Sequence, residues 1–240
     1  MITSLPYTST LVLQGSDTVG LLDRIVTCSI GDMTTGDSRP GALLTPQGKI
    51  ISDFELTRTE AGSVLAVHPD AIDALEKRLK LFRLRADVEI TRQEASMIDV
   101  DHDARIAMGR PCFGYDFAEA EVFPTDVNLD LFGGIDYKKG CFVGQEVVSR
   151  MYRRGKIRKR SVVLAGSGLE KDMDVRAGKK LLGRVTSAGD QNALAILRVD
   201  NLAKAMEADE VITAEKLRIE VVIADWLNEE MSAFLAGENA

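Results

Sequence analysis

Lys138-Lys139-Gly140-Cys141-Phe142-Val143-Gly144-Gln145-Glu146 sets a thiol between two glycines, directly after two lysines and just ahead of Gly144 to Tyr152, which reads as a helix start. Gly133 and Gly134 lie upstream in Leu131 to Tyr137, so the backbone can turn tightly before it reaches the thiol. Neighbouring ammonium groups and a helix amino end both favour a thiolate, which makes Cys141 the one residue that reads as reactive. A free cysteine is also a small hydrophobe, and from spacing alone a buried Cys141 among glycines that merely form turns stays equally open.

The other cysteines, Cys28 and Cys112, are widely spaced, there is no C-x-x-C, and His68 and His102 are the only imidazoles. That pattern argues against a disulphide framework and against a preformed zinc or cluster site, so no metal ligands are expected. Met1 to Pro6 lacks a basic region followed by an apolar run, and no apolar stretch approaches membrane-spanning length. A soluble cytoplasmic protein with reduced thiols and no membrane partner is the expectation.

Charge is concentrated. Lys138, Lys139, Arg150, Arg153, Arg154, Lys156, Arg158, Lys159 and Arg160 face a single acid, Glu146, within a 240-residue chain of net charge -7. A local basic stretch on an acidic protein points to one anionic partner at one place. Its readings are a solvated face, a dock for a polyanionic tail, or an RNA patch; Tyr152 alone supplies an aromatic, so base stacking is poorly supported.

Outward from the thiol, Thr10 to Leu13 reads as a strand followed by a helix with Ser16 as N-cap and Val19, Leu22, Ile25 and Val26 on one face. After a loop from Gly31 to Gly41, strands are expected at Ala42 to Leu44, Ile50 to Thr57 and Ser63 to Val67, in an antiparallel sheet. Pro69 opens a helix with Ile72, Leu75, Leu79 and Phe82 on one face, and Leu84 to Ile90 alternates as a returning strand. Short strands at Ser161 to Ala165, Gly183 to Ser187, Ala193 to Leu197 and Leu217 to Ile223 suit a small barrel or sandwich. From Trp226 a short helix should fray into a disordered end.

The run K-K-G-C-F-V-G-Q-E, with Val148-Ser149-Arg150 and Arg154-Gly155 beyond it, resembles the signature of the YgfZ-type folate-binding family. Leu43 to Ile50 with Asp53, Lys77 to Arg85, Arg105 to Pro111 (the family's central strand), Phe123-Pro124 and Asn128-Leu129 resemble further family segments, so the likeness covers most of residues 8 to 200. That family is related to the aminomethyltransferase of the glycine cleavage system. The resemblance implies an α+β, GcvT-like fold of three subdomains around a central folate pocket, with a C-terminal small β-barrel. The expected boundaries are 1–35 with 100–155 for a discontinuous central folate-binding subdomain, 36–99 for an inserted sheet and helix, 156–225 for the barrel and 226–240 for a tail.

By the same resemblance the chain is a folate-binding accessory factor for assembly or repair of [4Fe-4S] clusters in client enzymes, including the radical enzymes that methylthiolate transfer RNA. Cys141 would be its thiol, with Lys139, Gln145 and Glu146 shaping the loop. Asp53, Arg105, Gly144, Arg150 and Arg154 would hold tetrahydrofolate, plain or polyglutamylated. Iron-sulphur clients or assembly proteins would be the partners, with no direct nucleic acid. Two alternatives stay open: a tetrahydrofolate-dependent aminomethyl or one-carbon transferase using Asp53, and a tRNA-binding module. Asp53 can equally be a solvent-facing strand residue, because Ile51, Asp53 and Glu55 share one face. The chain departs from the family pattern at two places. Ala107 stands where the transferases carry a glutamate after Arg-Ile, which weakens aminomethyl transfer, and Cys28-Ser29 stands for an Asn-Asp pair, so Cys28 reads as structural.

Overall fold

The computed structural model describes residues 7–94, 101–155 and 157–237, and the chain divides into two compact units. The first comprises residues 1–100, 112–124 and 129–149, the second residues 101–111, 125–128 and 150–240.

The first unit is built on a five-stranded antiparallel sheet. Strand β1 (Ser9–Gln14) and helix α1 (Thr18–Ile25) lead into β2 (Ser38–Leu44), β3 (Ile50–Thr59) and β4 (Gly62–Val67), then α2 (Ile72–Arg83) and β5 (Glu89–Glu94). Their order across the sheet is β2-β3-β4-β1-β5. Alternation gives the sheet a core face: Leu11, Leu13, Leu56, Leu65 and Val67 are buried, and Leu75 and Leu79 of α2 close over β1 and β3. Burying each such side chain contributes about 1.5–3 kcal/mol.

Three local expectations change. The N-cap position of α1 is Asp17, not Ser16, and neither side chain caps the helix: Asp17 Oδ2 accepts from Asp87 N–H at 2.8 Å and the Ser16 hydroxyl donates to Asp87 Oδ2 at 2.9 Å. The loop after α1 gives up its last residues to β2, which starts at Ser38; Pro40, lacking an N–H, is tolerated on that edge strand. The strand expected from Leu84 begins only at Glu89, since Arg83 to Ala86 form a turn closed by Ala86 N–H donating to Arg83 O at 2.8 Å.

The second unit opens with α3 (His102–Ala107), which takes in Arg105 to Ala107 of the segment where the family resemblance implied a strand; Asp101 caps the helix by accepting from Ala104 N–H at 2.9 Å. Helix α4 (Gln145–Arg153) starts in the first unit and ends in the second. Then come β6 (Lys159–Ala165), β7 (Asp174–Ala177), β8 (Lys180–Ala188), β9 (Asn192–Arg198), α5 (Val199–Glu207), β10 (Ile212–Ala214), β11 (Leu217–Arg218), β12 (Glu220–Val221) and α6 (Asp225–Leu235). The seven strands run β11-β10-β7-β8-β9-β6-β12, all antiparallel. Only Ile219 separates β11 from β12, so the two ends of the sheet are drawn together and the strands close as a barrel. Leu164, Val175, Leu182, Val185 and Leu197 fill it, with Leu202 of α5 and Leu227 and Met231 of α6 in the same core. Helix α6 is thereby anchored; the fraying expected at the tail falls on residues 238–240, outside the described residues.

Candidate functional site

The thiol loop of the first unit is fastened at several points. Thr27 Oγ1 donates to Gly134 O at 2.6 Å and accepts from Ala42 N–H at 2.9 Å, and Asp136 N–H donates to Thr27 O at 3.0 Å. The Asp136 carboxylate accepts from the N–H groups of Lys138 (2.7 Å) and Lys139 (3.2 Å), an Asx turn that sets the path into Gly140. Beyond the thiol, Gly144 has φ +79°, and a Cβ there would lie 2.6 Å from Thr45 O and 3.1 Å from Gly48 Cα. A Cβ on Gly48, itself at φ +80°, would lie 3.1 Å from Val147 Cβ. The glycine of the β2–β3 turn and the glycine before α4 therefore interlock, which gives a packing reason for two distant sequence segments that both resemble the family. Lys49 completes the floor by donating to Glu121 O at 2.9 Å and standing 3.8 Å over the Phe123 ring.

Cys141 is exposed on this loop, and the reading of it as a buried hydrophobe is set aside. Lys139 does not serve it as a neighbouring cation in the expected way. Its side chain is 3% exposed and turns inward, donating to Cys28 O at 2.7 Å and to Asp23 Oδ1 at 3.4 Å, with burial holding its ammonium pKa below the ordinary value. Lys139 is thus a tether for the loop. Gln145 Nε2 donates to Gly140 O at 3.3 Å, bracing the turn from the other side, while Glu146 is exposed in the first turn of α4, where a carboxylate favours the helix amino end. Below them Cys28 is fully buried against Gly41, and burial pushes its thiol up to about 11.

Asp53 is not solvent-facing. It is 6% exposed and accepts from the Tyr7 hydroxyl at 2.6 Å, while Tyr7 packs with buried Cys112. Cys112 N–H in turn donates to the buried carboxylate of Asp116 at 3.0 Å. A Tyr7, Asp53, Cys112 and Asp116 group therefore lies inside the first unit, bordered by Phe113, Phe117 and His68 in edge and tilted ring contacts. Sequence reasoning missed Tyr7, Asp116 and Asp23. A turn-rich loop carrying Asp116 between Gly114 and Phe117 was the one available signal; nothing marked Tyr7 or Asp23.

The remaining predicted ligands fall in the second unit. Arg105 of α3 is buried and donates to Arg110 O (2.8 Å) and Ser187 Oγ (3.0 Å), so this side chain is committed to holding α3 and β8. Arg150 and Arg154 are exposed, as are Arg153, Arg158 and Lys159; Lys156 is outside the described residues. Arg160 breaks the solvated-face reading: it is 2% exposed, bonded to both carboxylate oxygens of Glu230 and to Thr125 O, with Trp226 alongside at 5.9 Å. A buried guanidinium needs such a carboxylate, which lies 70 residues away in α6 and leaves no local pattern.

Residues 158–229 match the family model described as CAF17, C-terminal beta-barrel domain. A Neurospora crassa protein named iron-sulfur cluster assembly factor IBA57 homolog, mitochondrial, is 29% identical over 115 residues, covering 48% of this chain and 25% of that protein. Its namesake from Mycosarcoma maydis is 43% identical over 61 residues, 25% of this chain and 15% of that one. A Phaeosphaeria nodorum protein of the same name is 26% identical over 149 residues, 46% of this chain and 37% of that one, so the chain spans well under half the length of these relatives. The crystal structure of the glycine cleavage system aminomethyltransferase T from Bartonella henselae aligns with a TM-score of 0.69 at 14% identity, over 81% of this chain and 77% of that chain. The chain has the α+β fold of that aminomethyltransferase, ending in a β-barrel, and the curated relatives similar to parts of it are named as iron-sulphur cluster assembly factors.

Proposed function

We propose that the chain is a folate-binding accessory factor of the YgfZ type that helps assemble or repair [4Fe-4S] clusters in client enzymes, with Cys141 as its working thiol. The observation that carries this reading is the exposure of Cys141 on a loop fastened by Asp136, Lys139 and Gly144, while Cys28, whose carbonyl holds the Lys139 ammonium, is buried. Sequence relatives named for iron-sulphur assembly support the same direction. The cluster is cargo, and the thiol is one donor toward it or toward a sulphur on the partner. Clients include the radical enzymes that methylthiolate transfer RNA, and the setting is a cytoplasm that keeps thiols reduced. No described helix is long and apolar enough to cross a membrane.

Tetrahydrofolate is part of the proposal. The buried Asp53 carboxylate beside the Tyr7 hydroxyl fits the amine-bearing edge of a pterin, which needs an acceptor shielded from water. Exposed Arg150 and Arg154 suit a polyglutamate tail by charge alone. Bound folate would supply a nucleophilic amine able to carry a one-carbon unit. Calorimetric titration with tetrahydrofolate and its triglutamate should give binding that Asp53→Ala weakens; no binding at high micromolar ligand would remove folate and leave Cys141 a folate-independent thiol. A second reading, one-carbon transfer, is favoured by the Asp53–Tyr7 pair. Absence of turnover with aminomethyl or methylated amine donors would dismiss it. Ala107, where a glutamate stands in the transferases, already weighs against it.

A further inference from the structure

Helix α2 ends in a way that folding does not explain. Leu84 has φ +46° and ψ -107°, the geometry of the first central position of a type II′ turn, which glycine ordinarily fills. A leucine there is strained, and its side chain gains nothing in return from the core, being 83% exposed. One turn earlier Leu81 is 61% exposed. Around this pair Lys77, Arg78, Lys80, Arg83 and Arg85 are all exposed. Lys80 is paired with Glu76 at 2.6 Å and Arg83 donates to Val88 O at 3.2 Å, whereas Lys77, Arg78 and Arg85 make no ion pair among the described residues. On a chain of net charge -7, this is an apolar centre ringed by cations.

We propose that the C-terminal end of α2 is a docking surface for an acidic protein segment whose carboxylates meet Lys77, Arg78 and Arg85 while an apolar side chain covers Leu81 and Leu84. An apolar centre with a charged rim is the usual anatomy of a protein interface, and the rim steers encounter. A nucleic acid has no use for two leucines, and the one aromatic here, Phe82, is half-buried. The apolar centre is only two side chains, Leu81 and Leu84, an area that one apolar side chain of a protein segment covers and that is too small to seat a bilayer surface, whose binding scales with buried apolar area.

The test places a benzophenone-bearing amino acid at Lys80, beside Leu81, in cells that make the full chain, and identifies the photo-adduct by mass spectrometry. The expected adduct is on a protein peptide rich in Asp and Glu, falling about fivefold or more with Leu84→Gly and with Arg78→Glu. Leu84→Gly should unfold at no lower temperature than wild type, because glycine relieves the backbone. An adduct on lipid or RNA, no adduct, an adduct indifferent to both substitutions, or a destabilised Leu84→Gly chain would each overturn the proposal. Cys141→Ala should leave the adduct intact, so failure here is separable from failure of the role given to that thiol.

Discussion

Cys28 and Cys141 belong to the same corner of the first unit and live under opposite conditions. Cys28 sits on the connection between α1 and β2, fully buried, packed where a Cβ on Gly41 would come within 2.7 Å of its sulphur, its thiol held protonated with a pKa of about 11. Cys141 is exposed on a loop hung above it. One side chain joins them: Lys139, a neighbour of Cys141 in sequence, delivers its ammonium to the backbone carbonyl of Cys28. Proximity in sequence suggested a lysine that would activate the thiol; the fold uses it to hold the loop down. A reactive group needs a rigid support as much as a nearby charge, and here Lys139 and Asp136 supply the support.

The comparison can be broken most severely at Gly144. Adding a Cβ at φ +79° against Thr45 O should cost about 2–4 kcal/mol, measured by urea unfolding of Gly144→Ala, and should loosen the thiol loop before the barrel. Unchanged stability would mean that the loop is not seated on the β2–β3 turn. Next in size, Lys139→Met removes a buried donor to Cys28 O and should cost about 1–3 kcal/mol, with faster proteolytic cleavage between Gly133 and Gly144. A variant as stable and as protease-resistant as wild type would cancel the tether. Cys28→Ala leaves a small void and should cost about 1 kcal/mol, whereas Cys141→Ala, at the surface, should stay within about 0.5 kcal/mol of wild type.

The smallest effect is at His68, whose Nδ1 accepts from Asp70 N–H at 3.2 Å in the turn before α2. Burial lowers its pKa below 6.5, with the Asp70 carboxylate at 3.8 Å pulling weakly the other way. The folded state thus prefers the neutral ring. Its contribution is fully present above pH 6.5 and is lost as pH falls through the lower folded value, when the protonated ring can no longer accept. Unfolding midpoints of wild type should therefore fall more than those of His68→Asn between neutral and mildly acidic pH; parallel curves would assign the acid sensitivity to other groups.

Much of this was legible in the chain because it is local. Short strand-like runs set apart by Gly and Pro turns marked β1, β3 and β4, helical spacing marked α2, and short runs between Gly or Asp turns marked β6, β8 and β9, whereas the period-two alternation from Leu84 marked a strand that begins only at Glu89. Helix α5 passed unseen because it follows β9 without a turn, and β7, β10 and α3 are too short to show a period. At the site, the motif around Cys141 was visible, but the partner of its tether was not, since Asp23 reaches Lys139 across 116 residues; in the separate buried group Tyr7 reaches Asp53 across 46. Long-range polar pairs leave no spacing to read. The same holds for Arg160, which looked like one more cation of a solvated run until Glu230 buried it.

The most direct trial of the central claim is the activity of a [4Fe-4S] client enzyme in cells whose only copy of this chain carries Cys141→Ala, set beside Cys28→Ala. The account predicts folded protein in both, client activity lost with Cys141→Ala and retained with Cys28→Ala. Full client activity with Cys141→Ala would contradict it.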